Sequence, residues 1–146
     1  MFKDKAEIIY LDKNHKGVIA ETAVEKDLMI QGFKIAEPKD DLPFDLIALT
    51  ANDWSNFYKI QVKYCKVKNG TVMLRLLKPG NRKPYTDKEV DFFAVYVTDK
   101  DICLYIPYCE IPSGSTTFSI RIDPPSDKFF GGPEIHNFQK YLKMRV

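Results

Sequence analysis

The sequence predicts an α/β domain organised around a mixed β-sheet, and three observations lead there. An amphipathic stretch near the amino terminus has helical spacing. Several segments rich in aromatic and β-branched residues follow it in succession. A short capping-type turn then introduces further strand-like segments, an order that points to a mixed sheet. At 146 residues the chain is expected to form one domain, residues 1–146, with one hydrophobic core.

From Lys16 to Gln31, Ile19, Ala20, Ala23, Val24 and Leu28 recur at helical spacing. Gly32 follows as a cap able to take a positive φ. A short strand is expected over Phe33–Ala36, then a loop over Glu37–Pro43, which holds two prolines and three consecutive charges. Phe44–Thr50 and Phe57–Tyr64 read as strands, and the turn-like Ala51–Asn56 between them makes an antiparallel hairpin.

Thr71–Leu77 is a further strand, expected to pair with its predecessor through the Asn69-Gly70 turn. Lys78–Tyr85 then reads as an exposed basic loop. Thr86-Asp87-Lys88-Glu89 matches a capping box, so a short helical turn is expected before a buried strand at Phe92–Thr98. Ile102–Pro107 and Thr117–Ile122 complete the strands; Pro124-Pro125 breaks the chain, and Ile135, Phe138 and Leu142 fit a short terminal helix.

Composition excludes some classes of function and leaves others open. A hydrophobic share of 45% with 29% charged residues is an ordinary globular balance. No apolar run approaches the roughly 20 residues that cross a bilayer, so no membrane partner and a cytoplasmic location are expected. Cys65, Cys103 and Cys109 form no CxxC pair and are read as reduced packing residues. Only His15 and His136 are present, which disfavours a histidine-rich metal site, and no GxSxG or phosphate-cradling glycine loop occurs.

Twenty-two Lys and Arg against twenty Asp and Glu leave a formal charge of +2. The total matters less than its placement, because phosphate neutralisation is local. Lys63, Lys66, Lys68, Arg75, Lys78, Arg82 and Lys83 fall in a stretch with no acidic residue, which suits either a solvated loop or a nucleic-acid surface.

The chemistry-bearing pattern is a constellation. In Tyr58–Tyr64, alternation sends Tyr58, Ile60, Val62 and Tyr64 to one face and Lys59, Gln61 and Lys63 to the other. On the partner strand Asp45 opens an otherwise apolar run, where a lone carboxylate is costly unless paired or bound to a cation. Singly, each has a plain structural reading: Gln61 and Lys63 on a solvated face, Asp45 ending a loop. A hairpin, however, would bring a carboxylate, an amide and a lysine to one spot. Glu21 on the helix can add a second carboxylate, although helix glutamates commonly just face water.

Pro43-Phe44-Asp45 followed by Gln61-Val62-Lys63 resembles the PD-(D/E)XK nuclease superfamily, with an Asp at one strand's start and an (Asp/Glu)-x-Lys triplet on the next. Lys16-Gly17 through Glu21, Gln31-Gly32-Phe33, Asp91–Tyr96 and Tyr105-Ile106-Pro107 extend the likeness to the small homing endonucleases encoded in cyanobacterial group I introns. It covers most of the chain from Lys16 to Ile122. Two departures stand: Phe44 separates Pro43 from Asp45, and Gln61 replaces the usual acidic residue, as it also does in the intron-encoded branch.

The resemblance implies a restriction-endonuclease-like domain, its mixed sheet flanked by helices, and a magnesium-dependent endonuclease of double-stranded DNA. Glu21, Asp45, Gln61 and Lys63 would be catalytic; Glu21, Asp45 and Gln61 would hold Mg2+, and Lys63 would orient water and stabilise phosphate charge. A companion expectation, drawn from the basic stretch Lys66 to Lys83 itself, is that Lys66, Lys68, Arg75, Lys78, Arg82 and Lys83 grip the DNA. Cutting both strands calls for two sites, hence a homo-oligomer, dimer or tetramer. The rivals are a Holliday-junction resolvase or repair nuclease of the same superfamily, and a decayed, purely binding protein.

Overall fold

The computed structural model describes residues 12–124 and 136–146. Helix α1 spans Lys13–Ile30. Strands follow as β1 (Lys34–Ala36), β2 (Leu46–Leu49), β3 (Phe57–Cys65), β4 (Thr71–Arg75), β5 (Phe92–Val97), β6 (Ile102–Pro107), β7 (Thr117–Arg121) and β8 (His136–Asn137). One five-stranded sheet has the order β1-β2-β3-β5-β6, and a three-stranded sheet has the order β4-β7-β8. In the larger sheet only β3 and β5 are parallel, so the expected mixed sheet is present.

α1 begins earlier than the apolar spacing indicates. Asp12 caps it, its side chain accepting from the His15 N–H at 2.8 Å. It ends as the glycine predicts: Gly32 has φ +98°, its N–H donates to the Met29 carbonyl, and the Phe33 N–H donates back to Leu28. Ala20, Val24 and Leu28 form the buried stripe, whereas Ile19 lies on the outer side.

That stripe packs on one face of the large sheet, against Leu46, Ala48, Ile60, Val62, Phe92 and Tyr105 among others. The opposite face carries Phe93, Val95, Leu104 and Ile106, and the small sheet closes over it with Val72, Leu74, Phe118 and Ile120. The sheet is thus flanked by one helix on one side and by a second sheet on the other, rather than by helices on both, among the described residues. β5 is buried on both faces, which is why Phe92–Val97 reads as a near-continuous apolar run.

Several expectations are corrected. The Asn69-Gly70 turn exists, with φ of 52° and 75°, and Lys68 pairs with Thr71 across it. It does not return β4 beside β3, because β2 and β5 already occupy both edges of β3; β4 pairs with β7 instead. The Thr86–Glu89 capping box forms its reciprocal bond, the Thr86 N–H donating to Glu89 Oε1 at 3.0 Å, but only a turn follows, with strand β5 too near for a helix. The terminal helix is a 3-10 turn at Phe138–Tyr141, preceded by β8; Ile135 and Pro125 lie outside the described residues.

The loop from Lys78 to Tyr85 is not uniformly exposed either. Tyr85 is buried, and Lys78 is part-buried in an ion pair with Glu89 at 2.8 Å. All three cysteines are free; Cys65 and Cys103 are packed, but Cys109 is exposed and fills no core. No helix among the described residues is long and apolar enough to cross a membrane.

Candidate active site

β3 occupies the centre of the large sheet, and its alternation divides the molecule's chemistry. Ile60 and Val62 enter the core under α1, with Tyr58 and Tyr64 packed around them. Gln61 and Lys63 therefore share the opposite direction, at the half-buried level. β2 runs antiparallel to β3 in the register Leu46↔Ile60, so Asp45 enters one residue ahead of that pair, next to Gln61.

Asp45 continues the ladder where the strand itself has ended. Its N–H donates to the Ile60 carbonyl at 2.8 Å, and its Oδ2 accepts from the Val62 N–H at 2.9 Å. Asp91 makes the matching contact on the other side of β3, accepting from the Lys59 N–H at 2.7 Å. Both acids fasten a strand start to β3, and Asp45 is the one whose charge meets Lys63.

Electrostatics distinguishes the site. Burial raises the Asp45 carboxyl above its ordinary value, against the lowering effects of the Val62 N–H bond and the Lys63 charge. Burial lowers Lys63, and the Asp45 charge opposes that lowering. Glu21, half-buried on α1, is raised by burial and then by the negative charges of Asp45 and Glu37. The Asp45 charge thus disfavours ionisation of Glu21, while the Lys63 charge offsets part of the burial at Asp45 itself.

Tyr85 supports that lysine. The Lys63 Nζ is 3.4 Å from the Tyr85 hydroxyl and 5.1 Å from the centre of its ring. Burial pushes the Tyr85 phenol up to about 12, with the Asp45 and Glu89 charges adding to the rise, so it remains a neutral partner. Gln61 donates its amide Nε2 to the Val62 carbonyl at 3.3 Å, which leaves Oε1 as its acceptor.

One helical turn after Glu21, Glu25 is pushed up to about 7, chiefly by a hydrogen bond shared with Glu37, then by burial and by the charges of Glu37 and Glu21. The spacing of four residues from Glu21 is the signal that could have found it. Tyr85 gave no such signal, since its partner is 22 residues away in sequence. Cys65, also near Lys63, is pushed up to about 11 by burial and stays a thiol.

Among the residues expected to grip DNA, Arg75, Lys78 and Arg82 line one cleft together with Lys63, and Lys13 joins them from α1. Lys66 and Lys68 lie on the exposed turn after β3, and Lys83 is exposed at the loop's end. Among the described residues no three His, Cys, Asp or Glu side chains cluster as a metal cage. The oxygen donors here are the Glu21 and Asp45 carboxylates and the Gln61 amide oxygen, and the repulsion that Glu21 feels from Asp45 is what a hard divalent cation relieves. The residues therefore fit such an ion.

Among solved structures, the bacterial homing endonuclease I-Ssp6803I is similar, with a TM-score of 0.63 and 19% identity over 82% of either chain. The Holliday junction resolvase Hjc of Archaeoglobus fulgidus matches at a TM-score of 0.46 and 15% identity, over 73% of this chain and 84% of that one. No curated protein matches. The family model described as PD-(D/E)XK endonuclease matches residues 11–143, which takes in every element from α1 to the last turn: the chain belongs to the PD-(D/E)XK endonuclease family.

Proposed function

We propose that the protein is a magnesium-dependent, site-specific endonuclease of double-stranded DNA, of the homing type, with Glu21, Asp45, Gln61 and Lys63 as its catalytic residues. The observation that carries this reading is the strand geometry that sets Asp45, its Oδ2 accepting from the Val62 N–H at 2.9 Å, beside Gln61 on β3 with Lys63 on the same side of that strand, the Asp45 charge acting on both Lys63 and Glu21. Site specificity and the homing type are supported by likeness to the bacterial homing endonuclease. In the same reading residues 1–146 are one domain, and the protein works in the cytoplasm as a homo-oligomer, a dimer or tetramer.

Mg2+ would be held by the Glu21 and Asp45 carboxylates and the Gln61 carbonyl; when bound it neutralises phosphate charge and makes water acidic. A phosphodiester needs charge neutralisation, a positioned water and in-line geometry more than covalent help. Lys63 supplies two of these: its ammonium orients the attacking water and donates to the phosphate oxygen on which charge grows. The low-polarity surroundings that lower its pKa also strengthen that interaction. Tyr85 holds the ammonium in place without competing for its charge. Gln61 gives an oxygen but no charge, so cation affinity rests on the two acids.

The test is nicking of supercoiled plasmid by purified protein with and without magnesium. Lys63→Ala is expected to lose at least about 100-fold in cleavage rate while still binding duplex, because one stabilising donor of a transition state is worth that much. Asp45→Ala is expected to lose cleavage altogether. Full cleavage by Lys63→Ala removes that lysine from the mechanism, and magnesium-independent nicking removes the cation. Selection of cut sites from a random duplex library then reports specificity.

A further inference from the structure

We propose that the basic cleft beside Lys63, lined by Lys13, Arg75 and Arg82, is a subsite for a backbone phosphate flanking the one that is cut. It rests on the nuclease reading and goes further, naming which cations hold the strand and adding one from α1. The cleft measures about 670 Å³, and no acidic side chain among the described residues lines it. Its cations come from four places: the first turn of α1 (Lys13), the far part of β3 (Lys63), the end of β4 (Arg75) and the following loop (Arg82).

Such convergence is unfavourable without an anion, since like charges repel and only water screens them. Lys78 also lines the cleft, but Glu89 accepts from its Nζ at 2.8 and 3.0 Å, which satisfies its charge. No carboxylate among the described residues forms an ion pair with Lys13, Arg75 or Arg82. Among the described residues, then, nothing neutralises these three charges, which are left for a ligand. Guanidinium forks match phosphate oxygens in pairs, and an ammonium adds a point charge.

The loop that carries Arg82 is built, not slack. The Lys78 N–H donates to the Lys83 carbonyl at 2.8 Å, the Arg82 N–H to the Lys78 carbonyl at 3.1 Å, and the Lys83 N–H to Asn81 Oδ1 at 2.9 Å. Arg82 itself has φ 55°, a left-handed conformation that a long side chain rarely adopts. The fold holds Arg82 there at an energetic cost, and the loop presents its guanidinium to the cleft.

The cleft is not the cation site, because no carboxylate among the described residues lines it; it adjoins that site through Lys63, which lines the cleft as well. A nucleic-acid strand whose scissile phosphate lies by Asp45 and Lys63 passes its neighbouring phosphate into the cleft. Free phosphate or pyrophosphate shares the chemistry, and the experiment separates these sources.

Binding of a 20-base-pair duplex of mixed sequence would be measured by fluorescence anisotropy in EDTA, over a series of salt concentrations, for the whole protein. The triple variant Lys13→Ala/Arg75→Ala/Arg82→Ala is expected to bind more weakly, with a salt slope about 2 to 3 smaller, as each lost phosphate contact removes about 0.9. Arg75→Gln/Arg82→Gln, which keeps polar side chains at both exposed positions, is expected to lose about 2. Wild-type slopes in both variants, with normal circular dichroism, overturn the subsite. Inorganic pyrophosphate is the second probe: displacement of the duplex only at millimolar levels is expected, whereas displacement at micromolar levels makes this a free-anion site and overturns the strand assignment. The two readings fail separately. Wild-type protein that binds duplex through these residues but never nicks it with magnesium sinks the nuclease alone; a cutting enzyme whose variants keep the full slope sinks the cleft alone.

Discussion

At Asp45 and Glu21 the folded chain holds two carboxylates that prefer to be protonated more than free ones do. Raised carboxyl values mean that the folded state binds these protons more tightly than the unfolded state does. Their effect on stability is therefore nil below the ordinary carboxylate range, and destabilising once pH has risen past the raised values. Asp45→Asn, whose amide oxygen can still accept from the Val62 N–H, is expected to abolish cutting and yet raise the melting temperature of metal-free protein by a few degrees at neutral pH. The gain should vanish at a pH below the ordinary carboxylate value. A fall in melting temperature at neutral pH would show that Asp45 is a structural anchor before it is an acid. Gln61→Glu restores a third charge, so it should lower the magnesium concentration needed for half-maximal nicking and lower the melting temperature in EDTA. Titrating nicking against magnesium checks the first, and calorimetry checks the second. Asp45 and Lys63 were legible as candidates because Asp45 is an acid at the head of an apolar run and Lys63 follows a glutamine by two places on the polar face of its strand. Tyr85 and Lys13 were not, since nothing local marks a tyrosine beside a proline or one lysine among several, and Glu25 was marked only by its spacing of four residues from Glu21.

Among the elements, α1 shows both the reach and the limit of periodicity. Its end was readable from Gly32, whose φ of +98° no other residue takes easily and whose missing Cβ would meet nothing within 4 Å. Gly32→Ala is thus expected to destabilise through the backbone alone, by about 1 to 2 kcal/mol. A urea denaturation midpoint that does not move would contradict the left-handed cap. Its beginning was not readable, because Lys13-Asn14-His15-Lys16 has no apolar residue to carry a phase, and Asp12 reveals itself only by capping. β4 teaches a related lesson. The Asn69-Gly70 turn has the torsion angles a tight hairpin requires, yet a turn dictates only local reversal. Which strand lies beside β4 depended on edges of β3 that β2 and β5 had already filled.

At the scale of the molecule, the large sheet is buried on both faces, by α1 on one and by the sheet of β4, β7 and β8 on the other. One catalytic constellation serves one strand of DNA, so double-strand cutting by the proposed enzyme requires at least two copies. Sedimentation equilibrium is expected to give twice or four times the monomer mass; a monomer at assay concentration that still linearises plasmid in one binding event would contradict this. The amino-acid sequence by itself determined the class of fold, the alternation that sets Gln61 and Lys63 on one side of β3, and the helix stop at Gly32, because each follows from torsion preference and apolar spacing within a short segment. Only the tertiary structure decided that α1 brings Glu21 toward Asp45, that Tyr85 lies under Lys63, and that Lys13 meets Arg75 and Arg82 in one cleft. Those neighbours are far apart along the chain, and what joins them is the competition of whole surfaces for burial, which no local pattern records.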